Sequence, residues 1–158
     1  MELLQTTLCY LEQNDCYLML HRIKKEHDVN HDKWIGVGGK FEPGEDAETC
    51  VRREVREETG LEMQTLLYRG ILDFYCPPWP AERIHLYTCP AFSGTLRDCD
   101  EGVLEWVPKA DIAKLPIWDG DMIFFDLLNR GAPFFHLELY YDGDKLLRAV
   151  QDGRELPL

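Results

Sequence analysis

No stretch of this sequence approaches the ~20 consecutive apolar residues that span a bilayer. The opening Met1-Glu2-Leu3-Leu4-Gln5 has no basic region leading into a long apolar one, so no signal peptide and no membrane partner are expected. Positive charge is scarce: 17 Lys and Arg stand against 29 Asp and Glu, a net charge of −12. A surface this acidic repels nucleic-acid polymers and anionic membranes. If the ligand is itself an anion, something cationic has to sit between it and the protein. The six cysteines (Cys9, Cys16, Cys50, Cys76, Cys89, Cys99) form no C-x-x-C pair, and the five histidines (His21, His27, His31, His85, His136) have no zinc-type spacing. The expectation is reduced thiols, mostly small apolar core residues, in a cytoplasmic protein. There is no internal repeat and no low-complexity linker. With 29% charged and 11% aromatic residues, the chain is neither disordered nor fibrous.

What is present is enough for one core. The chain has 158 residues, 45% of them apolar, which predicts a single domain over 1–158. Strands are predicted over 6–11 and 16–21, split by the turn Gln13-Asn14-Asp15. Residues 24–33 are polar and read as a loop, and 34–39 is short and Gly-rich. A helix is predicted over 46–59, with Gly60 where a C-cap belongs. Strands follow over 66–75 and 83–92, separated by the loop Pro77-Pro78-Trp79-Pro80. A short strand 103–107 leads into a short helix 108–114, then a helix over 119–129. A final hairpin pairs 134–141 with 145–150 through Asp142-Gly143. Alternating strands and helices predict an α/β fold with helices on more than one face of a sheet.

The segment from Gly39 to Leu61 carries the chemistry. On a helix over 46–59, Ala47, Val51 and Val55 recur every four residues as one apolar stripe. Glu54, Glu57 and Glu58 then share a neighbouring face near the helix C-terminus. Like charges at these spacings repel, and anions are disfavoured at that end of a helix. Either the face is simply solvated, or a divalent cation sits on it. Mg²⁺ and Mn²⁺ take oxygen ligands, and such a cation would bridge an acidic protein to an anionic substrate. Gly38 and Gly39 form a tight turn or allow close approach to a metal or phosphate. Arg53 is a surface residue or orients a carboxylate such as Glu45 through a bidentate bond.

These residues match a known pattern. Residues 39–61 resemble the Nudix box, with every fixed position filled: Gly39, Glu45, Arg53, Glu54, Val55, Glu57, Glu58, Gly60 and Leu61. The resemblance implies a Nudix fold, a mixed β-sheet sandwiched between α-helices. It also implies Mg²⁺- or Mn²⁺-dependent hydrolysis of a nucleoside diphosphate linked to another group. Glu54, Glu57 and Glu58 are then metal ligands, with the Gly39 carbonyl joining them and Glu101 a further candidate for metal or base. Glu54 is by analogy the general base, although family members place it on different glutamates.

The resemblance extends past the box. Trp34-Ile35-Gly36-Val37-Gly38-Gly39-Lys40, Phe92-Ser93-Gly94-Thr95-Leu96, and Leu115-Pro116-Ile117-Trp118-Asp119-Gly120-Asp121 are similar to MutT-type and oxidised-purine triphosphatases, most of all the 8-oxo-dGTP diphosphatases. In those relatives a tryptophan stacks on the base and aspartates bond its edge, which places Trp118 and Asp121 at the base. Asp119 either contributes there or caps the following helix, and Gly38 and Lys40 approach the substrate from the box. Trp118 and Asp121 also have plain structural readings, as a core residue and a first-turn acid. Two positions depart from the relatives: Gly120 replaces the first acid of their pair, and Ile35 an amide. The expected activity is release of a monophosphate and pyrophosphate from a purine nucleoside triphosphate, with a small nucleotide as the partner of a monomer or homodimer. ADP-ribose hydrolysis and non-catalytic nucleotide sensing are the alternatives.

Overall fold

The computed structural model describes residues 2–158. β1 (Leu4–Gln13) and β2 (Cys16–His21) form the expected hairpin, and its turn residues Asn14 and Asp15 take φ of 50° and 61°. Those values give the turn whose twist matches its two strands. Then come β3 (Trp34–Ile35), α1 (Ala47–Thr59), β4 (Leu61–Tyr75), β5 (Glu82–Gly94) and β6 (Val103–Pro108). A 3₁₀ helix (Lys109–Lys114), α2 (Asp121–Asn129), β7 (Phe135–Asp142), β8 (Lys145–Gln151) and β9 (Arg154–Glu155) complete the chain. The sheet runs β3-β2-β1-β5-β4-β7-β8-β9, with β6 also paired to β2. β1–β5 and β4–β7 are parallel and the other pairs antiparallel, so the sheet is mixed.

Strand alternation decides which helix covers which face. β1 sends Cys9 and Leu11 to one side, where they meet Val51 and Val55 of α1 in one apolar cluster. It sends Tyr10 to the other side, against Phe124 and Phe125 of α2. β2 divides the same way: Leu18 and Leu20 lie under α1, and Tyr17 and Met19 belong to the α2 cluster. This is the sheet between helices expected of the α/β Nudix fold. Phe135, Leu137, Leu139 and Tyr141 of β7 all point into the α2 core, 0–3% exposed.

Several boundaries differ from the sequence reading. β4 begins at Leu61 rather than residue 66, because Leu61 and Met63 already alternate into the α1 core. β5 runs through Pro90, which is tolerated because the β4 register shifts there, from Thr65↔Ala91 to Leu67↔Thr88. The 108–114 helix is a 3₁₀ helix with Pro108 still in β6. α2 starts at Asp121, and Gly120 precedes it without any side-chain cap, so Asp119 does not cap the helix. β9 was not foreseen, although Asp152-Gly153 repeats the turn dipeptide of Asp142-Gly143, with φ of 50° and 80°.

Candidate active site

The box folds as loop and helix. Asp46 caps α1 by accepting from Thr49 N–H at 2.8 Å, and Gly60 ends it in the left-handed conformation at φ 80°. Upstream, residues 36–40 run back along β1. Val37 exchanges both backbone bonds with Cys9, and the Gly39 carbonyl accepts from Thr7 N–H at 2.9 Å. A Cβ on Gly38, whose φ is 154°, would stand 2.0 Å from the Thr7 carbonyl oxygen. Only glycine fits between the strand and the helix there.

Arg53 is the hub. Its Nε and Nη2 donate to the two Glu45 oxygens at 2.8 and 2.9 Å, the bidentate bond anticipated from the sequence. Nη1 donates to Glu54 at 2.7 Å and to Glu57 at 3.1 Å, and Nη2 to the Lys40 carbonyl at 3.1 Å. Glu45 is itself held by the Glu42 N–H at 2.7 Å. Arg53 and that backbone bond lower the Glu45 carboxyl to about 2. The Glu54 carboxyl lies against Gly39, where a Cβ would come within 2.6–2.8 Å of it. Burial pushes Glu54 up, and Arg53 holds it partly back.

Glu58 is 7% exposed and accepts from the Gly38 N–H at 2.8 Å. Its carboxyl also meets that of Glu101. Burial, and then the Glu101 contact, push Glu58 well up. Burial pushes Glu101 up as well, but the Glu58 contact, Arg22 at 2.7 Å and Lys25 at 3.3 Å bring it below its ordinary range. Two facing carboxyls have acceptors only, and a shared proton or a cation has to join them. Glu54, Glu58 and Glu101 carry the oxygen donors that Mg²⁺ or Mn²⁺ prefer. Among the described residues no three acid, His or Cys side chains converge as a ready-made metal cage. Each carboxyl is turned to a protein donor or to its neighbour, and the Gly39 carbonyl is turned to Thr7. Glu57, its side chain 58% exposed, joins this group only through Arg53.

A cavity of about 660 Å³ opens beside these residues. Gly38, Gly39, Lys40, Arg53, Glu54 and Glu101 line its charged end; Leu72, Phe74, Trp118, Asp121 and Phe124 line its apolar part. Trp118 donates to the Asn30 side chain at 2.8 Å, and Lys33 Nζ lies 4.5 Å from its ring centroid. Phe74 and Tyr141 pack edge-on to it. Asp119 is exposed and lines no part of the cavity, and neither do Glu57 and Glu58. Gly120 has a local cause. A Cβ there would stand 2.7 Å from the Tyr141 hydroxyl, which accepts from the Gly120 N–H, and 2.9 Å from Leu139. Tyr141 thus excludes the first acid of the relatives' pair, leaving Asp121 alone at the cavity.

The sequence reading missed the cationic wall. Arg22 and Lys25 line the charged end, yet residues 24–33 read only as a polar loop. The signal was present: Arg22, Lys24 and Lys25 fall within four positions of a chain poor in positive charge.

Asp121 is 7% exposed, and burial pushes its carboxyl well up. The folded state therefore keeps a proton that the unfolded state releases near pH ~3.9. Stability from this group is full below that pH and is lost as pH rises towards the folded value. Asp121→Asn is expected to raise the Tm by at least ~2–4 °C at pH 8, the shift about 1 kcal/mol produces in a chain this long. The gain should shrink to nothing near pH ~4. Thermal melts across that range check it, and a gain that does not grow with pH contradicts it.

Residues 3–128 match the NUDIX domain family. The chain is 30% identical over 137 residues to the uncharacterized Nudix hydrolase YvcI of Bacillus subtilis (strain 168), covering 84% of this chain and 83% of that protein. It is 32% identical over 114 residues to the oxidized purine nucleoside triphosphate hydrolase of Danio rerio, covering 70% and 71%. The crystal structure of a MutT protein from Bacillus halodurans superposes with a TM-score of 0.82 at 25% identity, covering 95% of this chain and 98% of that one.

Proposed function

The chain belongs to the NUDIX domain family and is a hydrolase of phosphorus-containing anhydrides, and from that premise we propose that it is a nucleoside triphosphate pyrophosphohydrolase. The carrying observation is the polarity of the cavity beside the box. Arg22, Lys25 and Lys40 stand beside Glu54 and Glu101 at one end, and Phe74, Trp118, Phe124 and Asp121 line the other. An anionic tail with a flat, donor-bearing base has the same polarity, and the volume of about 660 Å³ suits a nucleotide. The name of the zebrafish relative supports an oxidised purine such as 8-oxo-dGTP. β7 and β8 lie beyond the residues matching the family yet pair into the same sheet, which supports one domain over 1–158.

Family members generally use divalent metal ions, and Glu54, Glu57, Glu58 and Glu101 with the Gly39 carbonyl are the donors proposed to hold Mg²⁺ or Mn²⁺ here. When bound, the ion neutralises charge on the phosphate oxygens. The chain's own residues do the rest. Lys40, Arg22 and Lys25 draw in the polyphosphate. Glu54, oriented by Arg53, takes a proton from the attacking water; the new P–O bond forms as the anhydride P–O bond breaks and pyrophosphate leaves. Burial pushes the Asp121 carboxyl up, and in its protonated form it offers both a donor and an acceptor to the base edge, with Trp118 beside it.

The test is hydrolysis of 8-oxo-dGTP, the ordinary triphosphates, ADP-ribose and dinucleoside polyphosphates with Mg²⁺ and with EDTA, ranked by kcat/KM. A triphosphate converted to monophosphate and pyrophosphate only in the presence of metal is the expected result. Preference for ADP-ribose, or binding without turnover throughout, overturns the reading.

A further inference from the structure

One carboxyl in the cavity has no part in the chemistry above. Glu82 opens β5, paired with Leu4 of β1 and Phe74 of β4. The next residue, Arg83, turns to the other face and binds Asp73 through two bonds of 2.8 Å. Glu82 and Ile84 face the cavity instead, and the wall around Glu82 is apolar: Leu4, Phe74, Trp79, Pro80 and Ile84.

Three other acids on this cavity are each held by an arginine. Asp28 accepts from Arg22 at 2.8 Å, Glu101 from Arg22 at 2.7 Å and Glu54 from Arg53 at 2.7 Å. The Glu82 side chain forms no hydrogen bond or ion pair among the described residues; Lys40 and Arg22 act on it only at longer range, and burial raises it. A half-buried carboxyl without a donor costs stability in the free protein unless a ligand supplies that donor.

We propose that Glu82 is a specificity residue that accepts a hydrogen bond from an exocyclic amino group on the edge of the substrate's nucleobase. The proposal rests on the nucleotide reading above and deepens it. A phosphate is excluded as the partner, because a carboxylate repels it. The flat faces of Phe74 and Trp79, which line the same cavity, suit a base plane. A carboxylate at this place favours a base edge bearing N–H and disfavours one bearing a carbonyl, whose lone pairs face its own.

The test compares the full chain with Glu82→Gln and Glu82→Met on two substrate pairs, dGTP with dITP and dCTP with dUTP. Within each pair only the first carries the amino group. The wild type is expected to favour the amino member of at least one pair by ~10-fold or more in kcat/KM. Glu82→Met should bring that ratio to about one by slowing the amino member alone, and Glu82→Gln should fall between. The Tm of Glu82→Met should equal or exceed that of the wild type, which separates lost recognition from lost folding. No preference in the wild type, an unchanged ratio in the variants, or an equal loss on all four nucleotides overturns the proposal. If no triphosphate is hydrolysed, the hydrolase reading fails on its own. The same ratios are then read as Kd values by quenching of tryptophan fluorescence, and equal ratios in wild type and Glu82→Met overturn the Glu82 assignment.

Discussion

Glu54→Gln is expected to lower kcat by about 10³-fold while the Tm stays level or rises, since removing a positioned general base typically costs 10²–10⁴-fold. Three features of Glu54 combine in this expectation. It lines the cavity, where Glu57 and Glu58 do not. Its carboxyl lies against Gly39 and is fixed by Arg53 Nη1 at 2.7 Å, so its aim is set before substrate arrives. Burial pushes it up, towards the range in which a carboxylate takes a proton most effectively. Gln has the same shape and its oxygen still accepts from Arg53, so the scaffold is spared. The variant should also keep its affinity for a nucleoside monophosphate, which needs no proton transfer. A kcat within tenfold of the wild type removes Glu54 from the reaction and leaves Glu101 as the carboxylate to test.

The helix of this site was legible in the sequence and the rest of the site much less so. Asp46, the Ala47–Val51–Val55 stripe and Gly60 are local signals, and local signals fixed α1 to within one residue. The row Glu54, Glu57, Glu58 looked uniform. The fold separates it: Glu58 is sealed beneath Gly38, Glu54 faces the cavity and Glu57 stays in solvent. That division depends on where α1 lies against β1, a contact between distant parts of the chain. The meeting of Glu58 with Glu101, and of Arg22 with Glu101, likewise joins segments far apart in sequence. The absence of an acid at Gly120 was visible as a departure from the relatives. Its cause, the Tyr141 hydroxyl, belongs to a strand whose register no local pattern specifies. Glu82 gave no signal, because a lone acid at a strand start reads as surface until the apolar wall around it is seen.

Arg53→Lys is expected to lower kcat/KM by about 10²-fold or more, mostly in kcat, although charge is conserved. The guanidinium spans four partners at once: both oxygens of Glu45, Glu54, Glu57 and the Lys40 carbonyl. An ammonium on a flexible stem is a single point donor and reaches one or two of them. Glu45 carries no reacting role in this scheme; it holds the fork, and the Glu42 N–H holds Glu45. Glu45→Gln should therefore act through Arg53 and cost less, about 10-fold. The double variant Glu45→Gln/Arg53→Lys should be no slower than Arg53→Lys alone, since residues of one network are not additive. Simple multiplication of the two losses, measured by initial rates in Mg²⁺ alongside matched melting curves, would show Glu45 and Arg53 acting independently. The aim of Glu54 would then have to come from its packing against Gly39 alone.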